Sequence, residues 1–281
     1  MPELPEVETV RRGLAARLTG RRVAGVTLGP HPVVRASLAR RVYATPAPGQ
    51  LLAGDVVAGV HRHGKQLAIE GAAGGAVWVH LGMSGGLRFV ADAAAEPVPP
   101  HTHARWTLGS GAELRFVDPR RFGGLGVHPS LADLRARRFA ALGPDALDAR
   151  TAPLRAALAR TRRPLKAALL DQSVLAGLGN IYADEACFAA RLAPHLPADR
   201  VPADRIQALV RGIRAVLRRA VALGGSTLRD HAGVDGEAGT AQREHRVYGR
   251  GGRPCTACGS PLVASRLAQR ATVHCVACQP G

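Results

Sequence analysis

Three groups of residues in this chain have the types and spacing for chemistry. The first is its opening, MPELPEVETV. An initiator methionine followed by proline is normally removed, which leaves Pro2 with a secondary amine and Glu3 beside it. A terminal amine has a pKa of about 7.7–8.0 against about 10.4 for lysine, so far more of it is unprotonated at neutral pH. Pro5, Glu6 and Glu8 read as a helix opening, with proline in the first turn and acids at the positive end. That end disfavours a cation and lowers the amine's pKa further. The product is a nucleophile suited to Schiff-base formation with an acid/base partner adjacent.

The second group is the lysines. Of 38 Lys+Arg, only Lys65 and Lys166 are lysine. In a chain that uses arginine wherever it serves, these two mark places where a compact ammonium, or one able to lose its proton, is needed. The third group is Cys255-x2-Cys258 and Cys275-x2-Cys278, separated by 16 residues. The spacing suits one tetrahedral Zn²⁺ held by two knuckles of a β-hairpin. Four thiolates close the coordination sphere, so that zinc is structural. Cys187 lies outside the set and reads as a small buried residue.

The elements that must position these groups follow from composition and pattern. At 281 residues the chain holds enough for two domains. A net charge of +17 calls for a polyanionic partner, foremost nucleic acid. A histone-like binder is the bland alternative, but 46% hydrophobic residues exceed what such chains carry. Neither a leader nor an apolar run of membrane length is present in the sequence, which points to the cytoplasm.

Strands are expected at residues 21–28 and within 51–69, where Lys65 opens an alternating segment. AVWVHLGMSGGLRFV reads as a strand ending in a Gly-rich turn that projects Met83. HTHARWTL reads as a strand with His101 and His103 on one face. In ELRFVDPRRFGGLGV, Pro119 forces a turn with Arg120, Arg121 and Phe122 at its tip. An arginine fork there can read a base edge or clamp phosphate, and methionine or phenylalanine can wedge into a base stack. Beyond a polar stretch at 131–150, helices are expected at 154–160, 164–170, 181–191 and 203–223. In LLDQSVLAGLGNIYADEACF, Gly177 and Gly179 allow a tight turn, and Asn180 is placed to cap the next helix over an anion site. SRLAQRATVHC puts Gln269 and Arg270 at the tip of the zinc hairpin.

In order, MPELPEVETVRRGL, HRHGKQL, HLGMSG, DPRRF, GLGNIYADE and the four-cysteine tail resemble the formamidopyrimidine-DNA glycosylase family, bacterial enzymes that excise oxidised purines. The resemblance runs from residue 1 to about 279. It implies an α+β, multidomain chain: a catalytic helix plus β-sandwich domain (1–130), a connector (131–150), a helix–two-turn–helix domain (151–245) and a zinc-finger hairpin (246–281). It implies a monomeric enzyme of base excision repair, acting on double-stranded DNA that contains oxidised bases or abasic sites. The damaged nucleotide is flipped out, because its glycosidic carbon is inaccessible within the stack.

Residue by residue, the resemblance gives Pro2 the role of nucleophile and Glu3 that of proton shuttle. Lys65 assists the first elimination and Arg270 the second. Met83 fills the gap left by the flipped nucleotide, Arg120 faces the orphaned cytosine, and Phe122 kinks the duplex. His101, Arg162, Lys166 and Asn180 become DNA contacts, and the Gly-rich segment 224–250 encloses the flipped base. At Thr240 and Ala241 the chain lacks the aromatic that commonly follows the glycine. Two other readings stand beside this one. The sister endonuclease VIII type prefers oxidised pyrimidines and usually carries glycine where this chain has Leu4. A catalytically inactive zinc-finger DNA-binding protein would have no need of Pro2, Glu3 and Lys65.

Overall fold

The computed structural model describes residues 2–35, 42–227 and 232–280. It divides into two compact units, residues 1–140 with 226–239, and residues 141–225 with 240–281. This differs from a single domain over 151–245, because residues 226–239 return to the first unit.

The first unit opens with α1 (Leu4–Leu18), which buries Leu4, Val7, Val10, Leu14 and Leu18 at three- and four-residue spacing. Thr19 and then Gly20, at φ +80°, end it. The strands β1 (Val23–Leu28), β2 (Val57–His63), β3 (Gln66–Gly71), β4 (Ala76–His80), β5 (Gly86–Val90), β6 (Thr102–Leu108), β7 (Glu113–Val117) and β8 (Gly124–His128) follow. Among the described residues they form two antiparallel sheets, ordered β1-β6-β7-β5 and β2-β3-β4-β8. Val77, Val79, Leu67 and Leu125 of one sheet share a core with Trp106, Leu114 and Phe116 of the other and with the apolar stripe of α1. This is a sandwich in which α1 is part of the core.

Strand β4 is buried on both faces. Its Trp78 turns away from the sandwich to pack with Leu131 and Leu134 of α2 (Leu131–Leu134). The Arg138 guanidinium lies 4.6 Å from the Trp78 ring centroid. The returning segment is held at its middle by Val234. Its carbonyl accepts from Phe89 N at 2.8 Å, and its side chain lies where a Cβ on Gly13 would come within 2.4 Å of Cγ2. Glycine at 13 is therefore the condition for this close approach to the helix.

The second unit contains α3 (Thr151–Leu158), α4 (Leu165–Leu169), α5 (Asn180–Ala189), α6 (Ala203–Ala222) and the hairpin β9 (Val263–Leu267)–β10 (Arg270–His274). Residues Ile181 to Phe188 of α5 are all buried, so this helix is the unit's centre. Two adjacent acids in it do structural work. Asp184 Oδ2 accepts from Val273 N on β10, and the Glu185 carboxylate accepts from Arg246 N, Val247 N and Tyr248 N. Three converging backbone N–H groups satisfy a buried carboxylate and fix the chain where it enters the finger. Among the described residues, no helix is long and apolar enough to cross a membrane.

Candidate active site and nucleic-acid interface

Pro2 and Glu3 are buried at the opening of α1. Glu6 is what fastens them. Its Oε2 accepts from Glu3 N at 2.8 Å, and its Oε1 accepts from Ser226 N at 2.7 Å. One carboxylate thus ties the first turn of the helix to the start of the returning segment. The sequence reading treated Glu6 only as a helix-opening acid. The signal for its first bond is the three-residue step from Glu3 to Glu6, which lets a side chain reach back to an orphan N–H. Nothing local foretells the second, 220 residues away.

Lys65 lies in the two-residue turn between β2 and β3, where His63 pairs with Gln66. Gly64 takes φ +56°, the first central position of a II′-like turn, which favours glycine. Lys65 is 9% exposed, so the lysine is held close against protein. Next to it in the sheet, His80 pairs with Gln66. Burial, then the nearby positive charges of Arg35 and Lys65, push its pKa down to about 4, against a smaller opposing pull from Asp118. His80 is neutral at physiological pH.

The two expected wedge turns form one platform. Met83 is 45% exposed and Phe122 37%, high for large apolar side chains. Beneath them Asp118 is buried. Its Oδ1 accepts from Ser84 Oγ and its Oδ2 from Gly123 N, both at 2.7 Å. Ser84 Oγ in turn accepts from Arg120 N at 3.1 Å. A Cβ on Gly82 would sit 2.4 Å from Gly123 N, so the two backbones touch. Arg120 and Arg121 are exposed, and the Arg120 guanidinium lies 5.0 Å from the Phe122 ring centroid. Arg121 has φ +56°, which turns the chain between its two neighbours. Asp118 thus braces both turns.

The two histidines do not share a face. His101 is exposed at φ +65°, before β6 begins. His103 is buried, with Nε2 3.0 Å from Asp118 O. The left-handed residue breaks the two-residue alternation assumed for them.

In the second unit, Gln172 shapes the turn ahead of α5. Its Nε2 donates to Leu170 O and Leu178 O, and its Oε1 accepts from Gly177 N, each at 2.9 Å. Gly177 at φ +107° makes that turn possible. The helix cap is Gly179, not Asn180, which is the first helical residue. Asn180 Nδ2 instead donates to Ala271 O at 3.1 Å. Arg162 is open, with 94% of its side chain exposed and Asp199 at 3.6 Å.

Lys166, expected to contact DNA, has no exposed surface in the structure without DNA. Its Nζ lies 2.7 Å from Asp184 Oδ1 and donates to Ala271 O at 2.7 Å and Thr272 Oγ1 at 2.9 Å. Two hydrogen bonds and an ion pair thus surround the buried ammonium. Burial raises the Asp184 pKa to about 6, opposed by the Lys166 charge. Lysine is kept here because a point charge must fit among three protein acceptors, which a planar guanidinium cannot do.

The four cysteine sulfurs lie within 4.8 Å of one another, with Cys258–Cys275 at 3.5 Å and Cys255–Cys278 at 4.0 Å. A tetrahedron with Zn–S bonds of about 2.3 Å has edges of about 3.8 Å, so the set fits that ion. At the other end of the finger the tip is Ala268–Gln269, at φ +47° and +63°, and Arg270 is the exposed first residue of β10. Two left-handed residues make a I′-type hairpin turn. Cys187 is fully buried, and desolvation raises its thiol pKa well beyond the ordinary range. Of the Gly-rich segment expected to enclose a base, residues 228–231 lie outside the described residues. Thr240 and Ala241 begin a short 3-10 turn at the edge of α6.

A sandwich opened by a Pro-Glu helix, together with a helical unit that ends in a four-cysteine hairpin, is the architecture of DNA glycosylases of the helix–two-turn–helix class. Residues 1–125 match the formamidopyrimidine-DNA glycosylase N-terminal domain, and residues 142–232 its H2TH domain. The chain belongs to the formamidopyrimidine-DNA glycosylase family. It is 44% identical over 289 residues to the formamidopyrimidine-DNA glycosylase of Acidiphilium cryptum, covering 99% of this chain and all of that one. The crystal structure of the MutM (Fpg) protein of Thermus thermophilus superposes with a TM-score of 0.84 at 41% identity, covering 99% of this chain and 98% of that one. The Lactococcus lactis Fpg in complex with DNA containing an abasic site gives 0.86 at 30% identity, covering 99% and 100%.

Proposed function

We propose that this protein is a bifunctional DNA glycosylase and AP lyase that removes oxidised purines, 8-oxoguanine and formamidopyrimidines, from duplex DNA. What supports the reading above all is the grouping in one unit of Pro2 and Glu3 at the opening of α1, the Gly64–Lys65 turn, and the Met83–Phe122 platform. The relatives bear the glycosylase name, and Lactococcus lactis Fpg has been crystallised with abasic-site DNA and, as a mutant, with Fapy-dG DNA.

In the proposed sequence Met83 and Phe122 occupy the stack as the damaged nucleotide leaves it, and Arg120 pairs with the orphaned base. The amine of Pro2, freed by loss of Met1, donates its lone pair to C1′. The C1′–N bond breaks, and the base departs with its electron pair and takes up a proton. Glu3 moves protons as the sugar ring opens to the iminium. The iminium is the electron sink for removal of a C2′ proton and loss of the 3′ phosphate, a step Lys65 assists. A second elimination, assisted by Arg270, expels the 5′ phosphate; water then hydrolyses the iminium, which releases the sugar fragment from Pro2 and leaves a one-nucleotide gap. His101, Arg162 and the amide end of α5 at Asn180 contact the backbone. One Zn²⁺ held by Cys255, Cys258, Cys275 and Cys278 maintains the finger that carries Arg270. The protein acts as a cytoplasmic monomer.

The test is borohydride trapping on two duplexes, one with 8-oxoguanine opposite cytosine and one with thymine glycol. The reading expects a covalent adduct mainly on the first, mapped to Pro2 and lost in Pro2→Gly. An adduct mainly on the second assigns the chain to oxidised pyrimidines. Tight binding without an adduct on either reduces it to a binding protein.

A further inference from the structure

Glu8, which the proposed chemistry leaves unused, is the buried hub of an ion cluster. Its Oε1 accepts from Arg11 Nη2 and Arg12 Nε, and its Oε2 from Arg11 Nε and Arg62 Nε, all at 2.9 Å. Burial alone would raise its pKa. Hydrogen bonds from Arg11, Arg62 and Arg12 outweigh that and hold it at about 2. Glu8 is therefore a carboxylate throughout the range in which DNA is repaired. Arg11 and Arg12 belong to the same helix as Glu8, and Arg12 keeps 60% of its side chain exposed. Arg62 is different. It comes from β2, its side chain is 8% exposed, and its Nη1 donates to Gly64 O at 2.9 Å.

Gly64 O belongs to the peptide unit that joins Gly64 to Lys65. Holding that carbonyl fixes the plane from which the Lys65 side chain departs, in a turn whose glycine is already at positive φ. The guanidinium is planar, so bonds from Nε to Glu8 and from Nη1 to Gly64 set two directions at once. A buried ion pair is seldom more stabilising than apolar residues of the same volume, so its geometric action is the more telling one.

We propose that Glu8 and Arg62 are positioning residues for the elimination step, clamping the Lys65 turn to the helix that opens at Pro2 and Glu3. The proposal rests on the reading of Lys65 as the group that assists the first elimination. Misplacing a reacting group by about 1 Å costs on the order of 100-fold in rate, so a loosened turn is felt in chemistry before it is felt in binding.

The experiment gives Arg62→Met, Arg62→Lys and Glu8→Gln a duplex with a preformed abasic site under single-turnover conditions, which bypasses base excision. Strand cleavage, borohydride trapping, affinity for a tetrahydrofuran-site duplex and Tm are measured together. Arg62→Met is expected to slow cleavage at least tenfold, while trapping, which needs Pro2, stays within threefold and affinity within twofold. Arg62→Lys should recover little, because one ammonium cannot span both acceptors. Glu8→Gln keeps the shape of the cluster and should show the same split at smaller amplitude, also where Arg62→Met folds poorly. Cleavage within twofold of wild type overturns the proposal. So does a parallel fall in trapping, cleavage and affinity, which marks the pair as structural or as a DNA contact. Wild-type protein that never traps overturns the functional reading itself, and is told apart because it needs no variant.

Discussion

Ser84 Oγ donates to Asp118 Oδ1 at 2.7 Å, and the same Ser84 oxygen accepts from Arg120 N. One hydroxyl thereby registers the turn that carries Met83 against the turn that carries Arg120 and Phe122. If Met83 and Phe122 enter the base stack as proposed, much of the ordering that separate flexible loops would undergo on entering DNA precedes binding. Asp118→Ala leaves Gly123 N and Ser84 Oγ without their buried acceptor, at a cost of about 2–3 kcal/mol. The expected outcome is a Tm several degrees lower and weaker discrimination between lesion and undamaged duplex. Ser84→Ala, which removes one neutral bond, should cost about 1 kcal/mol. Unchanged discrimination in Asp118→Ala would show that the two turns act independently.

Lys166 separates a structural ammonium from a DNA-binding one. If it braces β10, Lys166→Met strands Asp184 in a buried site and costs about 3–5 kcal/mol. Heat denaturation should show that loss. A Lys166→Met, Asp184→Leu double variant should recover part of it, since removing both charges leaves none unpaired. In neither variant should the dependence of DNA affinity on salt change slope, because no phosphate contact has been lost. A slope reduced by about one would restore Lys166 to the interface.

How much of this was legible in the sequence varied with the range of the interaction. Helices α3 to α6 and most of the strands before them follow from apolar periodicity and Gly/Pro punctuation, which are local; β5 and β8 were not foreseen. The turns at Met83 and Phe122 and the cysteine spacing were equally plain. What escaped was long-range polar pairing. Lys166 and Arg162 are both basic residues beside a glycine-rich turn, and nothing within the span of a few residues says that one meets Asp184 and the other solvent. The return of residues 226–239 to the first unit combines the packing of Val234 on Gly13 with the Ser226–Glu6 and Phe89–Val234 bonds, pairings that no local pattern carries. His101 was misplaced on a strand face because a left-handed backbone at a non-glycine residue has no composition signal.

Arg162 is the converse case. With its side chain 94% exposed and Asp199 at 3.6 Å, it gives up little to meet a phosphate. Arg162→Ala should leave Tm unchanged and weaken binding to damaged and undamaged duplexes alike. It should also lower the slope of log affinity against log salt by about one. A loss confined to lesion-containing DNA would instead place Arg162 near the flipped nucleotide.

For the cysteine cluster, the argument is one of dependence. The finger's core is small: Val247, Leu262, Val273 and Phe188 pack around Cys255 and Cys275. So few apolar contacts do not fold a segment of this size unaided, and a structural metal commonly supplies the difference. Chelation, or Cys275→Ser at the most buried ligand, should release the hairpin to proteolysis between Arg246 and Gln279 while the helices of the second unit keep their protection. Strand cleavage should fall with it, and Zn²⁺ should restore both in the chelated protein. A hairpin that stays resistant to protease without metal would show that Asp184 and Glu185 suffice to hold it.

His80 allows a test in which pH is the variable. Its folded-state pKa of about 4 lies below the ordinary value of 6.5, so the unfolded chain binds this proton more readily than the folded one. Between pH 6.5 and 4 acid therefore draws the equilibrium towards unfolding, and the penalty is complete below pH 4. A shift of this size corresponds to about 3 kcal/mol. Glu8, with a pKa near 2, loses its own contribution only at lower pH, as the carboxylate is protonated between about 4.5 and 2. His128 and His274 are shifted in the same direction as His80, and Asp184 in the opposite sense for stability, so the whole-protein profile mixes several groups. The difference between wild type and His80→Asn isolates one. Above pH 6.5 the two should differ by a constant packing term. As pH falls to 4 the variant should gain on wild type, since it has no proton to take up on unfolding. Parallel stability curves across that window would mean that His80 takes up its proton as readily in the fold as in the unfolded chain, so that neither burial nor the charges of Arg35 and Lys65 shift it.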